Sequence, residues 1–457
     1  MSTSPLIWAD DLSVPIAWHA GQPISRRQYL ADVRHLAARL PEAGAMLNLT
    51  GDRYRFLVGL GAALVRGQNS LLPPNHTPDM IERLRGLYPS IYVLTDLVDY
   101  ESALLVLRHP DEHAALHGDA TVPLIDDSAD AVQVLTSGST GAPVPHAKAW
   151  GFLRLGAHAE AQRLAEVMGL QSLAGVTVVP TVPSQHMFGF ESTVLLAMLG
   201  GAAVDTERPF YPADIAAALA RAARPRMLVT TPFHLKSLLD SGVDLPAIDL
   251  TLCATAPLSP QLAARAEAAL ASPLMEIYGC TETGQVATRR TVKGAEWQVF
   301  DGVHISGNGE ASVAQGGHVP LATTLADVLE VISPTSFRLL GRSNDLINVA
   351  GKRSSLSHLN YHLNAIEGVR DGAFWLPTDV PADGVVRLIA FVVAPDVPAQ
   401  ELSKRVIAAM RQRVDTAFVP RRVVPVAELP RVPGTAKLPA AAFSAWAEQV
   451  LAGTARR

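Results

Sequence analysis

Between Ala45 and Ala254 the sequence repeats one pattern: short apolar runs separated by Ala-rich stretches of helical length. The runs are Ala45 to Leu49, Ile91 to Leu94, Val132 to Leu135, Thr177 to Pro180, Met227 to Thr230 and Leu250 to Ala254. A strand apolar at every residue is buried on both faces, and parallel strands need a long crossover between them. The pattern therefore predicts an α/β fold of layered parallel sheets. A helix is expected ahead of it, from Arg27 to Leu40, because Leu30, Val33, Leu36, Ala37 and Leu40 recur at helical spacing. After about Leu340 the character changes to a strand candidate at Val385 to Val393, an amphipathic helix from Glu401 to Phe418 and a strand at Arg422 to Val426. That reads as a small α+β unit of roughly 110 residues, an ordinary domain size.

Composition removes several function classes. Lys+Arg 38 against Asp+Glu 43 leaves a net charge of −5, which offers no broad basic surface, so no nucleic-acid partner is expected. Cys253 and Cys280 are the only cysteines, too few for a disulfide scaffold and without zinc-ligand spacing, which points to a reducing cytoplasm. The N-terminus has no basic segment leading into an apolar one, so no signal peptide is expected. The most apolar stretch, Thr193 to Val204, falls short of the roughly 20 residues that a membrane span needs.

The segment Val134-Leu135-Thr136-Ser137-Gly138-Ser139-Thr140-Gly141-Ala142-Pro143 runs from a strand pattern into a cluster of hydroxyls and glycines. Gly138 and Gly141 allow backbone N–H groups to converge, and Thr136, Ser137, Ser139 and Thr140 supply further donors, which suits a polyanion. An ordinary surface turn has the same composition. The Walker pattern GxxxxGK[ST] is absent, since the first lysine downstream is Lys148.

This loop resembles the phosphate loop of the adenylate-forming superfamily, which comprises acyl-CoA synthetases, peptide-synthetase adenylation domains and luciferases. Three further segments extend the resemblance. Tyr278-Gly279-Cys280-Thr281-Glu282 is similar to that family's YGxTE motif, the stretch from Gly341 to Arg353 to its GRxDD crossover segment, and Pro433-Gly434-Thr435-Ala436-Lys437 to its C-terminal Gly-Lys loop. The resemblance runs from about residue 130 to residue 440. It implies a large N-terminal domain of layered α/β subdomains, residues 1–342, and a small mobile α+β domain, residues 343–457, with a hinge at Asn344.

It also implies chemistry. A carboxylate attacks the α-phosphate of ATP, giving an acyl-adenylate and pyrophosphate, and a thiol then takes the acyl group. Thr136 to Gly141 would hold the terminal phosphates, Tyr278 with Gly279 would flank adenine together with Ala256 and Pro257, and Thr281 would bond the α-phosphate. Glu282 would hold Mg²⁺, which prefers hard oxygen ligands. Asp327 would accept the ribose hydroxyls, with Arg342 as a second ribose or phosphate contact. Lys437, one of only six lysines, falls at the catalytic lysine, where a compact ammonium can approach carboxylate and α-phosphate together. Gly351 would let a pantetheine arm pass and Arg353 would meet it, the acceptor being CoA or an acyl carrier protein.

The chain departs from the family pattern in two places. Asn344 replaces the more usual Asp or Lys at the hinge. Val144 stands where the phosphate loop usually has lysine; Pro143 and Pro145 extend the loop segment and delay its basic character to His146 and Lys148, so its cation would be Lys148.

His186, in Pro183 to Phe190, is similar to the residue that gates the acyl pocket, and Met187, Phe188, Phe190, Phe233 and His234 suggest an apolar wall. No aspartate stands in Thr230 to His234 or Pro183 to Phe190 to hold an amino group, which disfavours amino acids. The expected substrate is a small carboxylic acid of hydroxybenzoate type, an aryl acid. The alternatives are a medium-chain or 3-hydroxy fatty acid, or a degenerate scaffold that binds adenylate without turning it over.

Overall fold

The structure, a computed structural model, describes residues 2–42, 44–73, 75–116, 121–137, 143–307, 311–342, 346–349, 352–377, 387–432 and 438–454. It is mixed α/β, with a large N-terminal part and a small C-terminal part. Two sheets dominate the large part. In the first, strands run in the order Pro143–Ala149, Asp130–Ser137, Asn69–Leu72, Ala45–Asn48, Tyr92–Thr95 and Leu105–Arg108. All neighbours are parallel except the hairpin formed by the first two.

The second sheet is larger. Its parallel centre runs Leu274–Cys280, Leu250–Cys253, Arg226–Thr230, Thr177–Pro180, Ala203–Asp205 and Pro15–His19. The helices Pro212–Arg221, Pro232–Asp240 and Pro260–Leu270 pack beside it, each opened by proline in the first turn, where the missing N–H has no helical partner to lose. Thr231 and Ser259 cap two of them by accepting from His234 N and Leu262 N. Beyond Leu274–Cys280 the sheet continues antiparallel through Gly284–Arg289, Glu296–Val299, Ser336–Arg342 and Asp327–Ser333.

From Ile347 onward the apolar residues form cores of their own. The sheet Asp371–Trp375, Ile389–Val393, Arg422–Pro425 packs on the helices Leu356–Asn364 and Ala399–Arg411 on one face and against Phe443 and Ala447 on the other. The helix Leu356–Asn364 also meets the large part, where the Arg289 guanidinium lies between the Trp297 ring, 4.6 Å from its centroid, and the Tyr361 ring, 5.6 Å away.

Several expectations need correction. The helix expected from Glu401 to Phe418 ends at Arg411. Val414 and Phe418 keep the helical spacing, but the Asp415 side chain accepts from Ala417 N and starts a separate 3-10 turn, Thr416–Phe418. The strand expected from Val385 is described from Ile389. Pro143 and Pro145 do not prolong a loop; they sit in the strand Pro143–Ala149, at a sheet edge where a missing N–H is tolerated. The antiparallel strands after Gly284 carry no Ala-rich spacers and were not foreseen.

Candidate active site

Four of the segments singled out in the sequence emerge from the carboxyl ends of four adjacent parallel strands. Thr281 to Thr283 follows Leu274–Cys280, Ala254 to Leu258 follows Leu250–Cys253, Thr231 to His234 follows Arg226–Thr230, and Thr181 to Phe190 follows Thr177–Pro180. In an open α/β sheet that edge is where ligands bind, because the crossovers leave a crevice there.

On one side of the crevice, the Tyr278 hydroxyl donates to Asp327 Oδ2 at 2.9 Å, joining two residues far apart in sequence. The Tyr278 ring is held by Phe337 and Trp297, with centroids 5.5 and 5.7 Å away. Asp327 lies opposite Arg342 in the strand register. Gly279 is required by the tight return of the chain, since a Cβ there would lie 2.3 Å from the Gly284 carbonyl oxygen. Ala256 and Pro257 are exposed, and Thr255 before them has φ +81°, a left-handed conformation that a β-branched residue rarely takes. Such strain persists only where surrounding structure fixes it, most often at a functional site.

On the other side, the hairpin from Asp130–Ser137 to Pro143–Ala149 leans on the Thr281–Glu282 turn. Thr136 Oγ1 lies 3.1 Å from His146 Nε2, and that nitrogen lies 4.0 Å from Glu282 Oε1. Lys148 Nζ donates to the main-chain carbonyl of Glu282 at 2.7 Å. Burial works to raise the Glu282 carboxyl, but hydrogen bonds from its own N–H and the Cys280 thiol, with His146 and Lys148 nearby, hold it below the ordinary carboxylate value. It is therefore an ionised, half-exposed carboxylate. Thr281 beside it is half-buried. Gly138, Ser139, Thr140 and Gly141 lie outside the described residues, as does the side chain of Ser137.

The acyl-pocket candidates divide. His186 is exposed at the rim, and Met187 and Phe188 pack partly against the main core. Phe190 does not line a pocket wall; it is fully enclosed in that core. His234 accepts or donates at 3.0 Å with Thr231 Oγ1 and meets Phe233 and Phe210 edge-on, with centroids 5.5 and 5.1 Å away. Burial lowers its pKa and keeps the ring neutral.

Sequence reasoning missed Arg53. Fully buried, it donates to Val182 O at 2.7 Å, Ser184 Oγ at 2.8 Å and Thr193 Oγ1 at 3.0 Å, and so fixes both ends of the segment that carries His186. No local pattern marks an arginine for burial. Gly341 is explained by geometry, since its φ is +130° and a Cβ would stand 2.2 Å from Ser355 Oγ. Arg342 and Arg353 are placed by main chain only, in the strands Ser336–Arg342 and Lys352–Ser355, while Asn344, Gly351 and Lys437 lie outside the described residues.

A family model described as AMP-binding enzyme matches residues 72–314, more than half the chain and all four strand-end segments. The chain belongs to the AMP-binding enzyme family. It is a ligase of the acyl-CoA synthetase type within the adenylate-forming superfamily. A 4-coumarate–CoA ligase of Rhodobacter capsulatus is 31% identical over 286 residues, which span 63% of this chain and 69% of that protein. The o-succinylbenzoate CoA synthetase of Bacillus subtilis, solved with its acyl-adenylate intermediate, superposes with a TM-score of 0.72 at 16% identity, covering 96% of this chain and 97% of that one. An anthranilate CoA ligase solved with anthranoyl-AMP superposes with a TM-score of 0.70 at 15% identity, covering 99% of both chains. At these identities the superpositions carry the fold. In this AMP-binding enzyme no helix among the described residues is long and apolar enough to cross a membrane.

Glu282 fits a Mg²⁺ accompanying ATP. Mg²⁺ commonly takes one or two carboxylates together with substrate phosphates and water, and Glu282 is ionised, accessible and next to the hairpin of Asp130–Ser137 and Pro143–Ala149.

Proposed function

We propose that this enzyme activates a small carboxylic acid with ATP, releasing pyrophosphate, and passes the acyl group to the phosphopantetheine thiol of CoA or an acyl carrier protein. The observation that carries the reading is the convergence of the Tyr278–Asp327 pair and the Thr281–Glu282 turn at the carboxyl edge of one sheet.

In this reading Tyr278, Gly279, Ala256 and Pro257 flank the adenine, and Asp327 and Arg342 take the ribose. Thr136 to Gly141 hold the terminal phosphates, and Thr281 bonds the α-phosphate. Glu282 holds Mg²⁺, which supplies charge neutralisation along the phosphates. Lys437, from the small domain, stabilises the charge that builds between carboxylate and α-phosphate. The boundary at 342/343 and a hinge at Asn344 let residues 343–457 exchange Lys437 for Gly351 and Arg353, which receive the thiol.

The substrate is an aromatic acid of hydroxybenzoate type, supported by the relative's name, which specifies 4-coumarate, and by Phe233, His234 and Phe210 grouped beyond a strand end. With ATP chemistry and both cysteines free, the enzyme works in the cytoplasm.

ATP–pyrophosphate exchange against benzoate, 3- and 4-hydroxybenzoate, 4-coumarate, octanoate, 3-hydroxyoctanoate and amino acids tests this. Exchange is expected with the aromatic acids. Exchange with octanoates alone would replace the substrate class, and silence from protein that binds ATP would leave a scaffold.

A further inference from the structure

The strand Pro143–Ala149 alternates its side chains, so Val144, His146 and Lys148 share one face. That face looks onto the Thr281–Glu282 turn, as the contacts of His146 and Lys148 with Glu282 show. Lys148 lies four residues beyond Val144, a displacement of about 13 Å along the strand away from the phosphate loop. Its ammonium is spent on the Glu282 carbonyl, 2.7 Å away.

Glu191 is buried in the helical segment Phe190–Leu195, where burial pushes its carboxyl up to about 8. Glu191 Oε1 also accepts from the main-chain N–H of Gln285 at 3.3 Å. The turn is thus gripped at both ends, by the Lys148 ammonium on the carbonyl of residue 282 and by the Glu191 carboxyl on the N–H of residue 285. The surroundings close around it. Gln285 Nε2 donates to buried Glu160 Oε2 at 2.8 Å, and the Gln285 carbonyl meets the His318 ring. Gly284 has φ +73°, and a Cβ there would stand 2.5 Å from Glu191 Oε1, so the carboxylate occupies the space a side chain would need.

We infer that Lys148 and Glu191 form a latch that positions the Thr281–Glu282 turn for Mg²⁺-bound ATP, making both of them positioning residues and Lys148 no ligand of the phosphates. The inference rests on the reading of Glu282 as the Mg²⁺ ligand. A phosphate ligand would act on ATP with or without the metal, whereas a latch acts only on what Glu282 and Thr281 deliver.

Calorimetric titration of the full chain with ATP, in EDTA and then in Mg²⁺, separates the two. For Lys148→Met, Glu191→Leu and the double variant, affinity for ATP in EDTA is expected to stay within about twofold of wild type. The gain in affinity on adding Mg²⁺, and kcat, should each fall roughly tenfold in both single variants, and the double variant should be no worse than the poorer single, as coupled residues behave. Lys148→Gln, which keeps a donor for the Glu282 carbonyl, is the gentler variant should the others unfold, and an intermediate loss of the Mg²⁺ effect is expected of it. A tenfold loss of metal-free ATP affinity in Lys148→Met with Glu191→Leu unchanged would make Lys148 a phosphate ligand and overturn the latch. Wild-type behaviour of the variants in every readout would overturn it too. Failure of the wild-type chain to bind ATP in either buffer would instead sink the proposed function before any variant is compared.

Discussion

The large and small parts of the molecule are held together by different means. The large part encloses Arg26, Arg53, Glu160, Glu191, Glu276 and Arg289, most of them tied to main chain or to one another across long sequence separations. Arg26, for example, donates to the carbonyls of Ala197, Gly201 and Ala202. Among the described residues from 346 on, Ser355 is the only polar side chain so enclosed, and the cores are built from residues such as Leu363, Phe374, Phe391 and Val406. Apolar burial is non-directional and makes a compact body. Buried hydrogen-bonded charge is directional, and in the large part it ties segments far apart in sequence to one another.

Four experiments would break or sharpen that contrast. Arg289→Met should destabilise the large part by about 3–5 kcal/mol, since it strands Glu276, whose carboxylate lies 2.6 Å from Arg289 Nη2 in a buried pair. Chemical denaturation measures it, and a loss under about 1 kcal/mol would show that the pair carries little of the structure.

Lys437→Ala should leave the melting temperature alone and slow adenylation by roughly 10²–10³-fold, about 2.7–4 kcal/mol of barrier, because the small part is proposed to contribute a charge at the reacting atoms and not a structural anchor. Pyrophosphate release at the wild-type rate would remove Lys437 from the mechanism.

The two parts should also respond to pH in opposite senses, each by at most about 1.4 kcal/mol per pH unit per group. Burial pushes the Glu160 carboxyl up to about 7, so the stability around Gln285 is complete below the unfolded carboxylate range and is lost as pH rises toward 7. Burial, with His358 and Arg413 nearby, lowers His362 to about 4, so the helix Leu356–Asn364 is most stable above 6.5 and loses stability as pH falls toward 4. Hydrogen exchange followed from pH 4 to 7 should show protection falling near Gln285 and rising in that helix. Parallel trends would undo the assignment.

The smallest effect is expected at Thr255→Gly, where relief of φ +81° should stabilise the chain by about 1 kcal/mol. Destabilisation would mean that the threonine side chain makes a contact worth more than the strain.

Element existence was legible where burial on both faces leaves a continuous apolar run, and Thr177–Pro180 was bounded correctly for that reason. The C-terminal helix was overextended because spacing does not reveal a competing side-chain cap such as Asp415. The edge position of Pro143–Ala149 depends on which strands pair, a non-local fact, so its prolines read as a loop. Among the candidate residues, Tyr278, Glu282 and Asp327 were found through motifs, whereas Arg53, Glu160, Glu191 and Gln285 carry no local signature.

The sequence by itself determined the α/β class, the family and the segments proposed to face the nucleotide, because apolar periodicity and short motifs are local properties. Only the tertiary structure decided that Tyr278 reaches Asp327, that Phe190 belongs to the core, and that Lys148 turns toward Glu282. Those outcomes depend on which strands become neighbours and on which polar groups find partners once water is excluded.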